Sequence, residues 1–199
     1  MQMKMNDAEL RESCTSTLAE PNLLDASAIS STDGVLAGLS GDHPDSMAFA
    51  SQIVEKLTSK GHSVATAESL TAGLVSAAIA DIPGASNCLC GGVTTYQTHT
   101  KASVLGVDDG LLQANGPVDP GVALQMAAGV ARLFGSTFGV ATTGVAGPGP
   151  AEGHPAGTVY VAVWSPARSN AVLYHFEGSR ASVRAQAAEA ALAELLKLL

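Results

Sequence analysis

Ser69, Tyr96 and Lys101 are the residues whose types and spacing could together support nucleophilic chemistry. A serine hydroxyl attacks a carbonyl only when a base removes its proton. A lysine withdrawn from water can be neutral near pH 7 and serve as that base. The chain has no GxSxG elbow, and no Ser-His-Asp order stands out. Ser69 with Lys101, and the Tyr96 hydroxyl near, is therefore the most economical hydrolytic constellation. Lys101 also reads as a solvated surface lysine, as most lysines are.

The stretch from Val64 to Lys101 has to position these groups. Val64, Ala65 and Ala67 make an apolar run of the kind that forms a buried strand. The spacing of Leu70, Gly73, Leu74, Ala77 and Ala78 then predicts a helix over about 70–81. Ser69 falls at the junction, on the rim where open α/β sheets bind ligands. A helix start offers unpaired N–H groups and a positive dipole end to an oxyanion or a phosphate. The same position equally suits a serine that only caps the helix. A second strand, about 89–96, ends at Tyr96 and contains Gly91-Gly92. Paired glycines imply a bulge or a close approach, either by a ligand or subunit or through tight strand–helix packing. Lys101 lies near the start of the helix that follows. His99 beside it reads as a general acid, a phosphate partner, or a solvent-facing loop residue.

A helix opens at Asp45 or Ser46, with Met47, Ala50, Ile53, Val54 and Leu57 on one face, and stops at Gly61. Residues 108–116 read as a short helix and turn. Asp119-Pro120 starts another helix, with an N-cap residue and proline at the first position. Its stripe is Val122, Met126, Val130 and Leu133. Residues 138–142 form an almost uncharged run, expected to be a central strand. The loop from Thr143 to Pro150 closes it, and its small residues let backbone N–H groups approach an anion, or simply turn the chain. Residues 157–164 and 171–176 read as a hairpin. Ser179 caps a last helix running to Leu199. Arg180 at its start suits a phosphate, and also reads as a solvated surface arginine. About five strands and five or six helices alternate, which predicts an α/β fold, a three-layer α/β/α domain with a mixed sheet.

The 199 residues suffice for one domain with a substantial core and an appendage. Residues 1–45 carry a net −6 of the chain's −8 and interrupt any periodicity with Ser, Thr, Asp and Gly. They are expected to be an acidic, poorly ordered extension, or an interaction arm or lid, with the folded domain over 46–199. No basic patch with interleaved aromatics points to nucleic acid, and no apolar run is long enough for a signal peptide or membrane span. The odd cysteine count (Cys14, Cys88, Cys90) argues against a disulfide framework and fits a cytoplasmic setting. Cys88-x-Cys90 is read as one strand face packed into the core, since no second Cys/His pair has metal-ligand spacing. A homo-oligomer is expected, because small α/β enzymes often form symmetric assemblies.

The blocks TAESLTAG, DIPGAS and GGVTTY, with a lysine five residues after the tyrosine, resemble the CinA C-terminal domain family. So do TTGVAGPGP, GHPAGTVYVAV and FEGSRASVRAQAAEAAL, in the family's order and spacing from about Met47 to Leu199. Members that act as stand-alone enzymes are nicotinamide-nucleotide amidohydrolases. The resemblance therefore implies hydrolysis of nicotinamide mononucleotide to nicotinate mononucleotide and ammonia by a Ser–Lys mechanism. The substrate is then a small-molecule nucleotide, and no cofactor or metal is expected. Ser69 would be the nucleophile and Lys101 the base, with Tyr96 and Thr143 holding the proton path. The backbone near Leu70 and Thr71 would meet the oxyanion, and Gly73 would also bind the substrate. Gly144, Ala146, Gly147 and Arg180 would hold the phosphate. The chain departs from the family pattern at Gln97-Thr98-His99-Thr100, where Ser-Asn-Glu-Ala is usual, and at His154, where a lysine is usual. The alternatives are a non-catalytic nucleotide-binding or protein-interaction module on the same fold, and an amidase acting on another small amide.

Overall fold

Apolar strands alternate with amphipathic helices, so a sheet buried on both faces is the arrangement that hides both kinds of apolar surface. The computed structural model describes residues 44–199. In chain order the elements are α1 (Pro44–Lys60), β1 (Val64–Glu68), α2 (Leu74–Ala80), β2 (Leu89–Thr94), α3 (Thr98–Leu105) and α4 (Asp109–Asn115). They continue with α5 (Pro120–Phe134), β3 (Phe138–Gly144), β4 (Thr158–Trp164), β5 (Ser169–His175) and α6 (Arg180–Leu198). The strands form one sheet in the order β2-β1-β3-β4-β5. β1 runs parallel to both β2 and β3, whereas β4 and β5 return antiparallel. This is the expected three-layer α/β/α domain with a mixed sheet. The expectations for the acidic extension and for Cys14 fall outside the described residues, apart from Pro44 and Asp45 in α1.

The two faces of the sheet differ in side-chain size. Val64, Val140, Val161, Val163, Val172 and Tyr174 fill the face covered by α1, α2 and α6. On the other face Ala65, Ala67, Ala141, Ala162 and Ala171 lie under α5, with α3 and α4 outside it. Small side chains there let α5 come close. A Cβ added at Gly139 would overlap the Ala127 carbonyl oxygen, and one at Gly129 would overlap the Leu105 carbonyl oxygen. Backbone cannot swing aside as a side chain can, so Gly139→Ala is expected to lose about 2–3 kcal/mol of stability. Thermal unfolding would show a fall of several degrees, and an unchanged midpoint would mean that α5 lifts off the sheet without penalty.

Several local expectations hold and three change. Asp119 caps α5 through the amides of Gly121 and Val122, with Pro120 at the first helical position. Ser179 accepts from the Ser182 amide at the start of α6. The glycine pair in β2 is explained by packing: a Cβ on Gly91 would lie 2.7 Å from the Phe134 ring, and one on Gly92 would overlap the Thr66 hydroxyl. Cys88 and Cys90, expected on one face, separate. The register slips between Val64↔Leu89 and Ala65↔Gly91, so Cys88 is buried just before the strand while Cys90 is exposed. β2 ends at Thr94, leaving Thr95 and Tyr96 to turn toward α3. Finally, α2 begins at Leu74 instead of about Leu70, for a reason that belongs to the site.

Candidate active site

Five residues separate β1 from α2, and they form an irregular turn with Ala72 (φ 52) and Gly73 (φ 102) in the left-handed region. An alanine there is disfavoured, so the surroundings must hold it. Glu68, the last residue of β1 and 1% exposed, does so from below. Its Oε2 accepts from the amides of Gly73 (2.8 Å) and Val75 (3.1 Å) and from the Thr71 hydroxyl (2.7 Å). Its Oε1 accepts from the Ser76 amide (2.9 Å) and hydroxyl (3.0 Å). Because Thr71 donates to Glu68, its oxygen is left to accept from Thr142 of β3, 2.8 Å away. From the opposite side Arg184 of α6 donates to the carbonyls of Leu70 and Thr71, each at 2.8 Å. A carboxylate thus fills the start of α2, the place where a helix would otherwise receive an anion. The first turn expected for the helix is spent on presenting Ser69.

The Ser69 amide donates to the Thr142 carbonyl (3.0 Å), which fixes the Ser69 backbone on β3. Thr95 is tied to the end of β1, its amide donating to the Glu68 carbonyl (2.9 Å). Lys101 reaches across this frame from the first turn of α3. Its Nζ lies 3.1 Å from Ser69 Oγ and donates to the Thr95 carbonyl at 2.6 Å. The side chain is 1% exposed. Burial lowers its pKa from the ordinary 10.5 to about 8, with the negative charge of Glu152 opposing the fall. The first turn of a helix is, besides, a poor place for a cation. About a tenth of the lysine is therefore neutral at pH 7. In the charged form the ammonium donates to Ser69 Oγ. Once it loses that proton, its lone pair can accept the Ser69 O–H while an N–H still holds Thr95.

Ser69 and Lys101 open into a cavity of about 370 Å³, lined also by Leu70, Tyr96, Thr98, Val118, Thr143, the 144–152 loop and Arg180. This is within the range of small-ligand pockets. The structure brings Tyr96, Thr143 and Arg180 to this cavity without joining them to the Ser–Lys pair. Thr143 Oγ1 donates to the Pro117 carbonyl at 2.6 Å. Tyr96 is 54% exposed, and its hydroxyl accepts from Arg180 at 2.6 Å. Arg180 also donates to the Gly147 carbonyl at 2.8 Å, bridging the loop to the tyrosine. Gly144 and Ala146 lie in the cavity wall, whereas Thr71 and Gly73 sit behind the turn, bonded to Glu68. Among the described residues, the amides of Leu70, Thr71, Ala146 and Gly147 donate to no protein acceptor.

Against known sequences and structures, the profile of the CinA C-terminal domain matches residues 46–199. The chain belongs to the CinA C-terminal domain family. A CinA-like protein from Frankia casuarinae is 41% identical over 156 residues, covering 78% of this chain and 36% of that protein. A putative competence-damage inducible protein from Desulforamulus reducens is 44% identical over 138 residues, 69% of this chain and 34% of that one. The chain thus spans about a third of the length of these curated relatives. Among solved structures, a competence/damage inducible protein from Agrobacterium tumefaciens is 34% identical with a TM-score of 0.76, covering 80% of this chain and 99% of that one. A CinA superfamily protein from Escherichia coli is 29% identical with a TM-score of 0.75, covering 81% and 95%.

Within this CinA domain, the departures from the family pattern separate in space. Thr98 lines the cavity, and His99 is exposed outside it. His154 is not in the cavity wall either; it closes a small turn with Ala151. Among the described residues no helix is long and apolar enough to cross a membrane. Glu68 and Arg184 were not singled out from sequence. Glu68 stands out in retrospect as a lone carboxylate in the buried run VATAE, and Arg184 as the residue one helical turn after Arg180.

Proposed function

We propose that this CinA domain hydrolyses the carboxamide of nicotinamide mononucleotide to nicotinate mononucleotide and ammonia. The observation that carries the reading is the buried Lys101 amine 3.1 Å from Ser69 Oγ, both bordering a cavity of about 370 Å³. Ser69 Oγ attacks the carboxamide carbon while Lys101 takes its proton. The oxygen, now negative, meets uncommitted amides of the Ser69 turn, of which Leu70 borders the cavity. Arg184 keeps that turn rigid through its carbonyls, so the donors need no rearrangement as charge develops. As the C–N bond breaks, Lys101 returns the proton to the departing nitrogen, and ammonia leaves. Water then attacks the acyl ester; Lys101 takes a proton from it and passes one back to Ser69 Oγ. Arg180 and the amides of Ala146 and Gly147 bind the phosphate at the opposite rim.

The rival binding-module reading predicts a lysine separated from the serine, and the 3.1 Å approach favours the enzyme. The test is ammonia release from nicotinamide mononucleotide by the purified chain. Release that disappears in Ser69→Ala supports the amidase. Nucleotide binding without release by wild type would overturn it in favour of a binding module.

The pH profile supplies a second check. Only the neutral Lys101 is a base, so kcat/KM is expected to rise about tenfold per pH unit below 8 and to level off above it. A rate that is flat between pH 6 and 9 would exclude Lys101 as the base.

A further inference from the structure

Three charged side chains border the cavity: Lys101 at the floor, and Arg180 and Glu152 from the loop side. Glu152 is the only acid among them. Its carboxylate makes no ion pair or hydrogen bond among the described residues. It is also held in place from behind. Ala151 and His154 exchange both backbone hydrogen bonds, at 3.0 and 2.9 Å, around the two-residue tip Glu152-Gly153. Both tip residues are left-handed, at φ 53 and 77, the conformation of the tightest hairpin turns. For glycine this is easy; for a glutamate it is disfavoured. The backbone bridge fixes the residue at the cavity all the same.

We propose that Glu152 recognises positive charge on the substrate's ring, so that the site selects N-substituted pyridinium carboxamides over analogues with a neutral ring. This rests on the amidase reading above. In such a substrate the carboxamide to be cleaved is carried on the same six-membered ring that contains the cationic nitrogen. A carboxylate able to face that ring while Ser69 meets the amide must border the same cavity as the Ser–Lys pair. Glu152 does, and its charge is felt at Lys101. Arg180, bonded to Tyr96 and Gly147 on the rim, supplies the opposite charge for the phosphate. Apart from Lys101, which is assigned to the serine, the cavity has one acid and one rim guanidinium, matching a molecule that carries both a cation and an anion. A neutral ring would leave Glu152 without a partner.

The test measures binding, which turnover cannot confuse, by calorimetry on the full chain carrying Ser69→Ala. The probes are nicotinamide mononucleotide and its dihydro form, identical except for the neutral ring. Adding Glu152→Gln is expected to weaken the cationic nucleotide about fivefold, the worth of a partly exposed charge pair, and the neutral one less than twofold. Glu152→Lys should weaken the cationic nucleotide further. An equal loss for both probes, or no loss, would overturn the proposal. Ammonia release by the Ser69 enzyme separates the two readings. Release with no Glu152 effect refutes only the ring recognition. Absence of both release and nucleotide binding removes the amidase reading and this proposal together.

Discussion

Ser69→Ala is expected to abolish ammonia release from nicotinamide mononucleotide, by about 10⁴-fold or more, while the fold stays intact. The size of the effect follows from the division of labour in the site. Lys101 carries no leaving bond of its own, and the turn's amides only stabilise charge that the attack creates. On the proposed amidase mechanism, no acyl-enzyme forms without Ser69 Oγ, and the rest acts on nothing. The fold should be indifferent because the turn does not hang on this hydroxyl. The Ser69 amide keeps its bond to Thr142, and Glu68 and Arg184 hold the segment at other atoms. Lys101 keeps the Thr95 carbonyl. Stability within about 1 kcal/mol of wild type, one neutral hydrogen bond, is the expected companion result. Activity within tenfold of wild type would remove Ser69 from the mechanism.

Lys101→Met should lose activity on a similar scale, about 10³-fold or more, and gain stability while doing so. The lowered pKa states how strongly the interior resists the charge. A drop from 10.5 to about 8 corresponds to about 3 kcal/mol against the protonated form. The sign follows from proton counts. Between pH 8 and 10.5 the unfolded chain holds the Lys101 proton and the folded chain has lost it, so stability rises with pH across that window. Below pH 8 both states are protonated and the full burden is present. Methionine fills a similar volume without charge, though it leaves the buried Thr95 carbonyl without its donor, which returns about 1 kcal/mol. The expected net gain at pH 7 is about 2 kcal/mol, shrinking as the pH approaches 10.5. Calorimetric unfolding of both proteins at pH 7 and 10 measures it. A variant less stable than wild type at pH 7 would mean that the ammonium is held by more than the two bonds described.

Much of this arrangement is legible in the sequence alone. Asp119-Pro120 and Ser179 marked helix starts because their chemistry is local: a side-chain oxygen, a missing N–H, a few residues of backbone. Ser69 and Lys101 stood out because few other residue pairs in the stretch could do the work. What stayed hidden depends on residues distant in sequence. The spacing of Leu70 and Gly73 fits a helix well. Yet the turn there is decided by Glu68 taking the amides of Gly73, Val75 and Ser76 and by Arg184 arriving from α6. The separation of Cys88 from Cys90 is of the same kind, since a slip in register against β1 carries no signature in β2 alone. Periodicity describes one element at a time, and the site is made where four of them meet.

The pair Arg180 and Arg184 has a mechanical consequence. They lie four residues apart on α6, about 6 Å along its axis. One grips the loop and Tyr96, and the other grips the turn that carries Ser69. The helix is therefore a caliper with one jaw on each side of the cavity, and the gap between Ser69 and the rim is set by the pitch of a helix instead of by the compliance of loops. Inserting a single residue between the jaws would turn one of them by about 100° and release its grip, whereas the Glu152-Gly153 tip could lengthen without altering that gap. Within this domain, distance is written into α6 and the proposed selectivity into the loop that faces it.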